Sequence, residues 1–248
     1  ILMRDLDEDR AALASIGGKP IGLVCVNLYP FEKTVAAGAE HDEIIENIDI
    51  GGPSMVRSSA KNHSRVTIVT EPADYGRVLE ALRIAGETTL ELRAELAAKA
   101  FTHTAAYDGA IAAYMTRQAG SAYPGTLTLS FRKGYDVRYG ENPHQSGAFY
   151  IDRDAEPGSL ALSESLDEGG KELSFNNLID VDAALDAVRE FTEGPAAVVV
   201  KHTNPCGVAR AKTLAEAYVI AREADSQSAL GGIVALNQRV DLATAEEL

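Results

Sequence analysis

A lysine and a histidine stand side by side, Lys201-His202, directly behind three β-branched residues, Val198-Val199-Val200. An ammonium beside an imidazole can do acid–base work on a small polar substrate. The neighbouring positive charge disfavours a second one, which leaves the imidazole neutral and able to accept a proton near neutral pH. The valine run, led in by Pro195-Ala196-Ala197, predicts a buried strand. The pair therefore falls at the carboxyl end of a strand, where open α/β sheets hold their ligands. Neighbours on a regular strand face opposite ways. Both groups can serve one site only if the chain turns as it leaves the sheet, and Asn204-Pro205-Cys206-Gly207 is the expected turn. The competing expectation is a strand end whose Lys and His merely face water.

Other stretches carry weaker chemical signals. Asn27 and Tyr29 follow a short apolar run, Gly22 to Val26, that predicts a buried strand closed by Pro30. Their amide and phenol could grip a polar ring, or simply cap the next loop. Asp49 stands before Ile50-Gly51-Gly52-Pro53, a glycine pair and proline suited to opening a helix. Free backbone N–H groups there favour an anion or a polar ligand atom. Arg57 and Lys61, four apart, share a face of that helix, which could equally be a solvated basic face. Arg138 and Tyr139 lie in a polar turn, Arg138 to Gln145, where the guanidinium fork suits a phosphate and the ring suits a base. An ordinary surface hairpin is the other account. Asn176-Asn177 precede a helical pattern from about Asp180 to Phe191 and could cap it or bind a ligand. Gly231-Gly232 permits close approach by a ligand or by another element.

The elements that must position these groups alternate in type. Arg65 to Thr70 alternates as a strand, and Tyr75, Val78, Leu79 and Leu82 recur at helical spacing. Thr88-Thr89-Leu90-Glu91 predicts a capping box at the start of a long helix reaching about Arg117. His103 lies inside it as a packing or surface residue. Ala119 to Gly125 is the best linker, after which Leu127, Leu129 and Phe131 predict a half-buried strand. The 248 residues suffice for two medium domains. A net charge of −14 argues against general nucleic-acid binding. No apolar run is long enough to span a membrane, and no secretory leader opens the chain. Two distant cysteines, Cys25 and Cys206, suggest neither a disulfide framework nor a zinc site, and a reducing cytoplasm is expected. The first residue is not Met and both ends fall within helix-like patterns, so a longer parent protein is expected.

Six stretches resemble, in family order, the bifunctional purine-biosynthesis enzymes with phosphoribosylaminoimidazolecarboxamide formyltransferase and inosine monophosphate cyclohydrolase activities. They are NLYPFEKTVA from Asn27, IDIGGPSMVRSSAKNH from Ile48, RYGENPHQ from Arg138, LSFNNLIDVDAA from Leu173, KHTNPCG from Lys201 and SALGGIVALN from Ser228. The resemblance implies an α/β chain whose residues 1–122 form a methylglyoxal-synthase-like layered cyclohydrolase domain, with its N-terminal part missing. Residues 123–248 would be the first part of a cytidine-deaminase-like formyltransferase domain without the zinc site. It implies 10-formyltetrahydrofolate as co-substrate, no catalytic metal, no nucleic-acid or membrane partner, and a homodimer. Lys201 and His202 match the family's formyl-transfer pair, Arg138, Tyr139 and Asn177 its substrate contacts, and Gly231 a backbone contact. Lys61, Asp49 and Tyr29 match the cyclohydrolase's acid–base group, and Val26, Asn27, Ile50 and Gly51 the positions around the base. Gln227 and Leu230 depart from the residues expected beside the double glycine. An isolated chain of this extent is expected to be inactive. The alternatives are a non-catalytic nucleotide-binding regulatory module, which explains Asn27, Asp49 and Gly51 but not Arg138, Lys201 and His202, or an inactive fragment of the enzyme.

Overall fold

The computed structural model describes residues 1–166 and 172–248. It has an α/β architecture with parallel and antiparallel pairing, in two compact units, Ile1–Ser130 and Phe131–Leu248.

In the first unit, helix α1 (Asp7–Ser15) precedes β1 (Leu23–Cys25), which pairs in parallel with β2 (Thr67–Val69). Between the strands run α2 (Phe31–Ala36), α3 (His41–Glu46) and α4 (Gly51–Lys61). After β2 come α5 (Tyr75–Ala85) and the long α6 (Leu90–Gln118). One face of α4 buries Val56 and Ala60 against Ile68 and Val69 of β2 and Leu96, Ala97 and Ala100 of α6. Strand β1 is less buried than its apolar run predicts: Leu23 is 47% exposed and Cys25 is exposed. It has a strand neighbour on one side only. The cap of α6 is Thr89, whose side chain accepts from Leu92 N. Thr88 instead turns inward, with its Oγ1 2.7 Å from Thr67 Oγ1. The strand expected around Leu127 and Leu129 does not form, and these leucines are 68% and 63% exposed. Thr128 stays with the first unit, its methyl lying against Gly109 of α6. The unit division falls after Ser130.

The second unit opens with a hairpin of β3 (Phe131–Val137) and β4 (Gly147–Asp152). Helix α7 (Phe175–Arg189) follows, beginning five residues before the expected Asp180 because Ser174 and Asn177 form a capping box. Next comes β5 (Ala196–Lys201), central in a sheet between β6 (Asn204–Arg210) and β7 (Ile233–Leu236), antiparallel to both. Helices α8 (Leu214–Ala224), α9 (Ser226–Ala229) and α10 (Leu242–Glu247) complete it. Alternation along β5 splits its side chains between two helices. Ala197 and Val199 pack with Ala217, Tyr218 and Ala221 of α8, whereas Val198 and Val200 pack with Ala184 and Val188 of α7. All three valines are at most 1% exposed, so each contributes roughly 1.5–3 kcal/mol of burial.

This sheet is not the parallel sheet assumed in placing a ligand at strand ends, and Asn204-Pro205-Cys206-Gly207 is not the turn. Those four residues begin β6. Proline is tolerated there because β6 is an edge strand, and the pairing with β5 is irregular at Val199/Val200, opposite Pro205. The reversal is made by His202 and Thr203 alone.

Candidate functional site

His202 (φ 53°) and Thr203 (φ 63°) are the positive-φ non-glycine residues among those described. Both central residues of this two-residue hairpin are left-handed, the requirement of a type I′ turn, whose twist matches the flanking strands. Such turns favour Asn and Gly. Left-handed backbone costs an L-residue roughly 1–2 kcal/mol, and a β-branched threonine is among the worst suited. The turn is held by side chains on three sides. Asp180 Oδ1 of α7 accepts from Thr203 N at 2.7 Å. Thr203 Oγ1 and Asn204 Nδ2 donate to His202 O at 2.6 and 2.8 Å. The histidine is exposed at the tip.

Lys201 ends β5 one residue earlier. Its Nζ donates to Leu230 O at 2.7 Å, which ties the ammonium to the backbone beside Gly231. Gly231 is left-handed (φ 73°), with open space where a Cβ would stand. Gly232 serves packing, because a Cβ there would lie 2.8 Å from Val200 O. The turn before them is fixed by Asp225, whose Oδ1 accepts from Ser228 N at 3.0 Å. Those hydrogen bonds from Ser228 hold the Asp225 carboxyl below its usual range, with Lys201 adding a smaller effect.

Arg138 and Tyr139 follow β3 and run beside the start of α7. Arg138 N donates to Leu173 O at 2.9 Å and Phe175 N to Tyr139 O at 3.1 Å. The guanidinium lies 4.8 Å from the Tyr139 ring centroid and donates to its hydroxyl at 3.2 Å. The hydrogen bond from Arg138, followed by one from Ser174, pulls the phenol below its ordinary range. The arginine is thus folded over its own neighbour, with the fork at the surface. Asn176 Nδ2 donates to Glu141 O at 3.1 Å, so α7 also braces the loop that follows. Asn177 is a capping residue: its Oδ1 accepts from Ser174 N at 3.0 Å and Ser174 Oγ at 2.8 Å.

One element therefore gathers the second unit's candidates. The N-terminus of α7 holds Arg138 and Tyr139 and carries Asn177. Its Asp180, five residues or about 7.5 Å along the axis from Phe175, holds the His202 turn. Lys201 and Gly231 join through Leu230 O. The described residues also form an open, largely apolar cleft of about 440 Å³ between the hairpin and α7, lined by Phe131, Val137, Phe149, Leu160, Phe175 and Leu178. None of the predicted site residues lines it.

In the first unit, Asp49 is the centre. Its Oδ1 accepts from Gly52 N at 2.7 Å and its Oδ2 from Tyr29 N at 3.4 Å. A Cβ on Gly52 would come within 2.5 Å of Asp49 Oδ2, so glycine is what lets the carboxylate reach the opening of α4. The Asp49 amide donates to Tyr107 Oη at 2.8 Å, and that hydroxyl donates to Asn47 O at 3.1 Å. Burial pushes the Tyr107 phenol up. Asn27 Nδ2 donates to Thr70 O at 2.9 Å, and its Oδ1 lies 3.4 Å from the Tyr75 hydroxyl. Tyr29 is 55% and Ile50 76% exposed, with Gly51 beside them. Val26 is half-buried and its amide donates to Val69 O at 3.0 Å.

Lys61 does not join this group. It is the last residue of α4, whereas Asp49 bonds the helix's opening turn. Ten residues of helix separate Gly51 from Lys61, a rise of about 15 Å, more than a lysine side chain covers. Among the described hydrogen bonds Asp49 joins Tyr29 N and Gly52 N, and Lys61 stands at the other end of the helix. Arg57 lies over the Phe101 ring, its guanidinium carbon 5.7 Å from the centroid.

Sequence patterns did not single out Asp180, Thr203 or Tyr107. Asp180 is one carboxylate among several in Ile179-Asp180-Val181-Asp182, and no spacing rule links it to Thr203. Tyr107 sits within an Ala-rich helix, where its phenol reads as packing. Among the described residues no group of three or more His, Cys, Asp or Glu could hold a metal ion, and no helix is long and apolar enough to cross a membrane.

A family model for the AICARFT/IMPCHase bienzyme matches residues 59–248. The bifunctional purine biosynthesis protein PurH of Sorangium cellulosum is 61% identical over 258 residues, covering 100% of this chain and 49% of that protein. The PurH of Myxococcus xanthus is 52% identical, covering 98% of this chain and 47% of that protein. That of Bacillus subtilis is 51% identical, covering 100% and 48%. The chain spans about half the length of the curated relatives it matches.

Proposed function

This chain belongs to the AICARFT/IMPCHase bienzyme family, and from that membership we propose that it contributes to the last two steps of purine nucleotide synthesis. The first unit is read as a methylglyoxal-synthase-like cyclohydrolase domain. The second is read as the opening part of a cytidine-deaminase-like formyltransferase domain. The observation that carries the formyl-transfer reading is the single helix α7, which braces Arg138-Tyr139 at its start and the Lys201-His202 strand end through Asp180.

In the proposed transfer, Arg138 and Tyr139 grip the nucleotide, assisted by Asn177 and the Gly231 backbone. The exocyclic amine of phosphoribosylaminoimidazolecarboxamide attacks the formyl carbon of 10-formyltetrahydrofolate. A nitrogen–carbon bond forms, and His202 takes the proton the amine sheds. Lys201 stabilises the negative charge on the tetrahedral oxygen, worth about 10²–10³ in rate for a well-placed donor. The carbon–nitrogen bond to the folate then breaks, and a proton returns to the departing nitrogen.

In the proposed ring closure, the carboxamide nitrogen attacks the newly attached formyl carbon and water leaves, giving inosine monophosphate. Asp49 and Tyr29, with Val26, Asn27, Ile50 and Gly51 around the base, would orient the nucleotide so that the two groups meet. Lys61 is proposed as a proton carrier for this reaction. It stands at the carboxyl end of α4, away from the opening turn that Asp49 bonds. The protein is proposed to act in the cytoplasm as a homodimer, without a catalytic metal.

The test is a pair of substitutions in the full-length protein. Lys201→Ala is expected to lower formyl transfer by about 10²-fold or more while sparing cyclohydrolase turnover, and Lys61→Ala to do the reverse. Formyl transfer near the wild-type rate in Lys201→Ala would overturn the assignment. Loss of both activities in one variant would point to misfolding, which a melting curve identifies.

A further inference from the structure

We propose that Asp180 is a positioning residue for formyl transfer: its carboxylate holds the left-handed His202-Thr203 turn and so aims the imidazole. The proposal rests on the role suggested above for His202 and adds the group that makes that role geometrically possible.

Two successive non-glycine residues at positive φ are uncommon, and the β-branched Thr203 is a poor occupant of a type I′ turn. Backbone of this kind persists only where its surroundings over-determine it, and it concentrates where geometry matters to function. The surroundings here are specific. Asp180 Oδ1 takes the Thr203 amide at 2.7 Å, a charge-assisted hydrogen bond across 23 residues of sequence. Thr203 Oγ1 and Asn204 Nδ2 close on the His202 carbonyl. The two side chains that close on the carbonyl move with the turn itself. Asp180 belongs to α7, whose interior face is fixed by Ala184 and Val188 against Val198 and Val200. It is therefore the side-chain contact that ties the turn to the helix, in addition to the strands that flank it. Without it, the Thr203 amide loses its partner, and the hairpin is free to sample other geometries that point the imidazole elsewhere. Since Arg138 and Tyr139 hang from the same helix, the imidazole would then wander relative to a nucleotide that stays in place. The expected signature is a loss in kcat with little change in nucleotide KM.

The experiment uses the full-length protein with Asp180→Ala, Asp180→Asn, Asp180→Ala/Thr203→Gly and His202→Ala. Formyl-transfer kinetics and amide hydrogen exchange at residue 203 are both measured. Asp180→Ala should lower kcat by roughly ten- to hundredfold, the range for losing a hydrogen bond to a charged group, and speed exchange at Thr203. Asp180→Asn keeps an acceptor oxygen and should recover most of the rate. Thr203→Gly removes the left-handed penalty and should partly rescue Asp180→Ala, which a merely stabilising carboxylate would not allow. A kcat for Asp180→Ala within about twofold of wild type, well below the expected loss, overturns the proposal. So does a slowed Asp180→Ala whose Thr203 amide stays protected. If Asp180→Ala does not fold, Asp180→Ala/Thr203→Gly is compared with Thr203→Gly alone, and equal kcat values in those two overturn it. His202→Ala separates the two layers. Lost transfer in His202→Ala beside intact transfer in Asp180→Ala sinks only the positioning role, whereas intact transfer in His202→Ala sinks the formyl-transfer role of His202 itself.

Discussion

Replacing Gly207 with alanine should be among the most damaging small changes in the second unit. Strand β6 crosses α8 at Gly207 with backbone against backbone. A Cβ built there falls on the Ala221 carbonyl oxygen, lies 2.7 Å from its carbonyl carbon and 3.3 Å from its Cα, where real Cβ atoms essentially never come within 3.0 Å. Neither neighbour is a flexible side-chain end, so strand and helix must part by about an ångström or more. Close-packed interiors transmit such a shift instead of absorbing it. Overpacking costs typically about 1–3 kcal/mol and sometimes more, and backbone on both sides puts this case at or above the upper end. The displaced strand is also the one that leaves the His202 turn, so formyl transfer should fall with stability. Two matched variants isolate the cause. Gly231→Ala meets nothing within 4 Å but sits at φ +73°, so it should lose only about 1–2 kcal/mol of left-handed strain. Gly51→Ala has open space and no positive φ, so it should be neutral or mildly stabilising, by at most about 1 kcal/mol. Chemical denaturation of the three proteins, each against wild type, gives the order directly. A Gly207→Ala protein as stable as Gly51→Ala would refute the reasoning, because it would mean that β6 and α8 are not in backbone contact.

Ser174→Ala and Asn177→Ala should each cost about 1 kcal/mol through loss of the capping box, read by denaturation. The capping pair uses the Asn177 Oδ1 and leaves its Nδ2 for a ligand, so only Asn177→Ala should also raise the KM for the nucleotide. Equal KM values in the two variants would confine Asn177 to capping. Arg138→Ala should shift Tyr139 titration upward, because the guanidinium stabilises the phenolate form and is the largest cause of the lowered value. NMR titration of labelled tyrosine checks this, and an unmoved Tyr139 resonance would show that the two side chains do not pair in solution.

The helices and buried strands were largely written in local pattern. The valines of β5 and the spacing of Val78 and Leu82 in α5 fell where composition and period put them, because burial on a fixed period is a local property. The failures share one physical cause: they depend on partners distant in sequence. Pro205 reads locally as the end of the sheet, but β6 lies at an edge, where proline's missing N–H costs no ladder bond. Leu127 and Leu129 alternate like a strand yet find no strand to pair with, and the hairpin starts at Phe131. Lys61 and Asp49 share a motif in the chain, but they stand at opposite ends of the 11-residue α4. In the candidate site, residue types were legible and their supports were not. Lys201 and His202 stand out as chemistry, whereas the Asp180–Thr203 and Lys201–Leu230 bonds join residues 23 and 29 positions apart.

The shared anchorage on α7 makes that helix a lever with two loads. A small tilt would carry the aromatic–guanidinium pair and the imidazole tip in the same direction, preserving the gap between them while changing how both meet an incoming co-substrate. On the proposed function, mutations on its buried face, at Ala184 or Val188, would then alter nucleotide KM and kcat together, with no change to the residues proposed to touch the ligand.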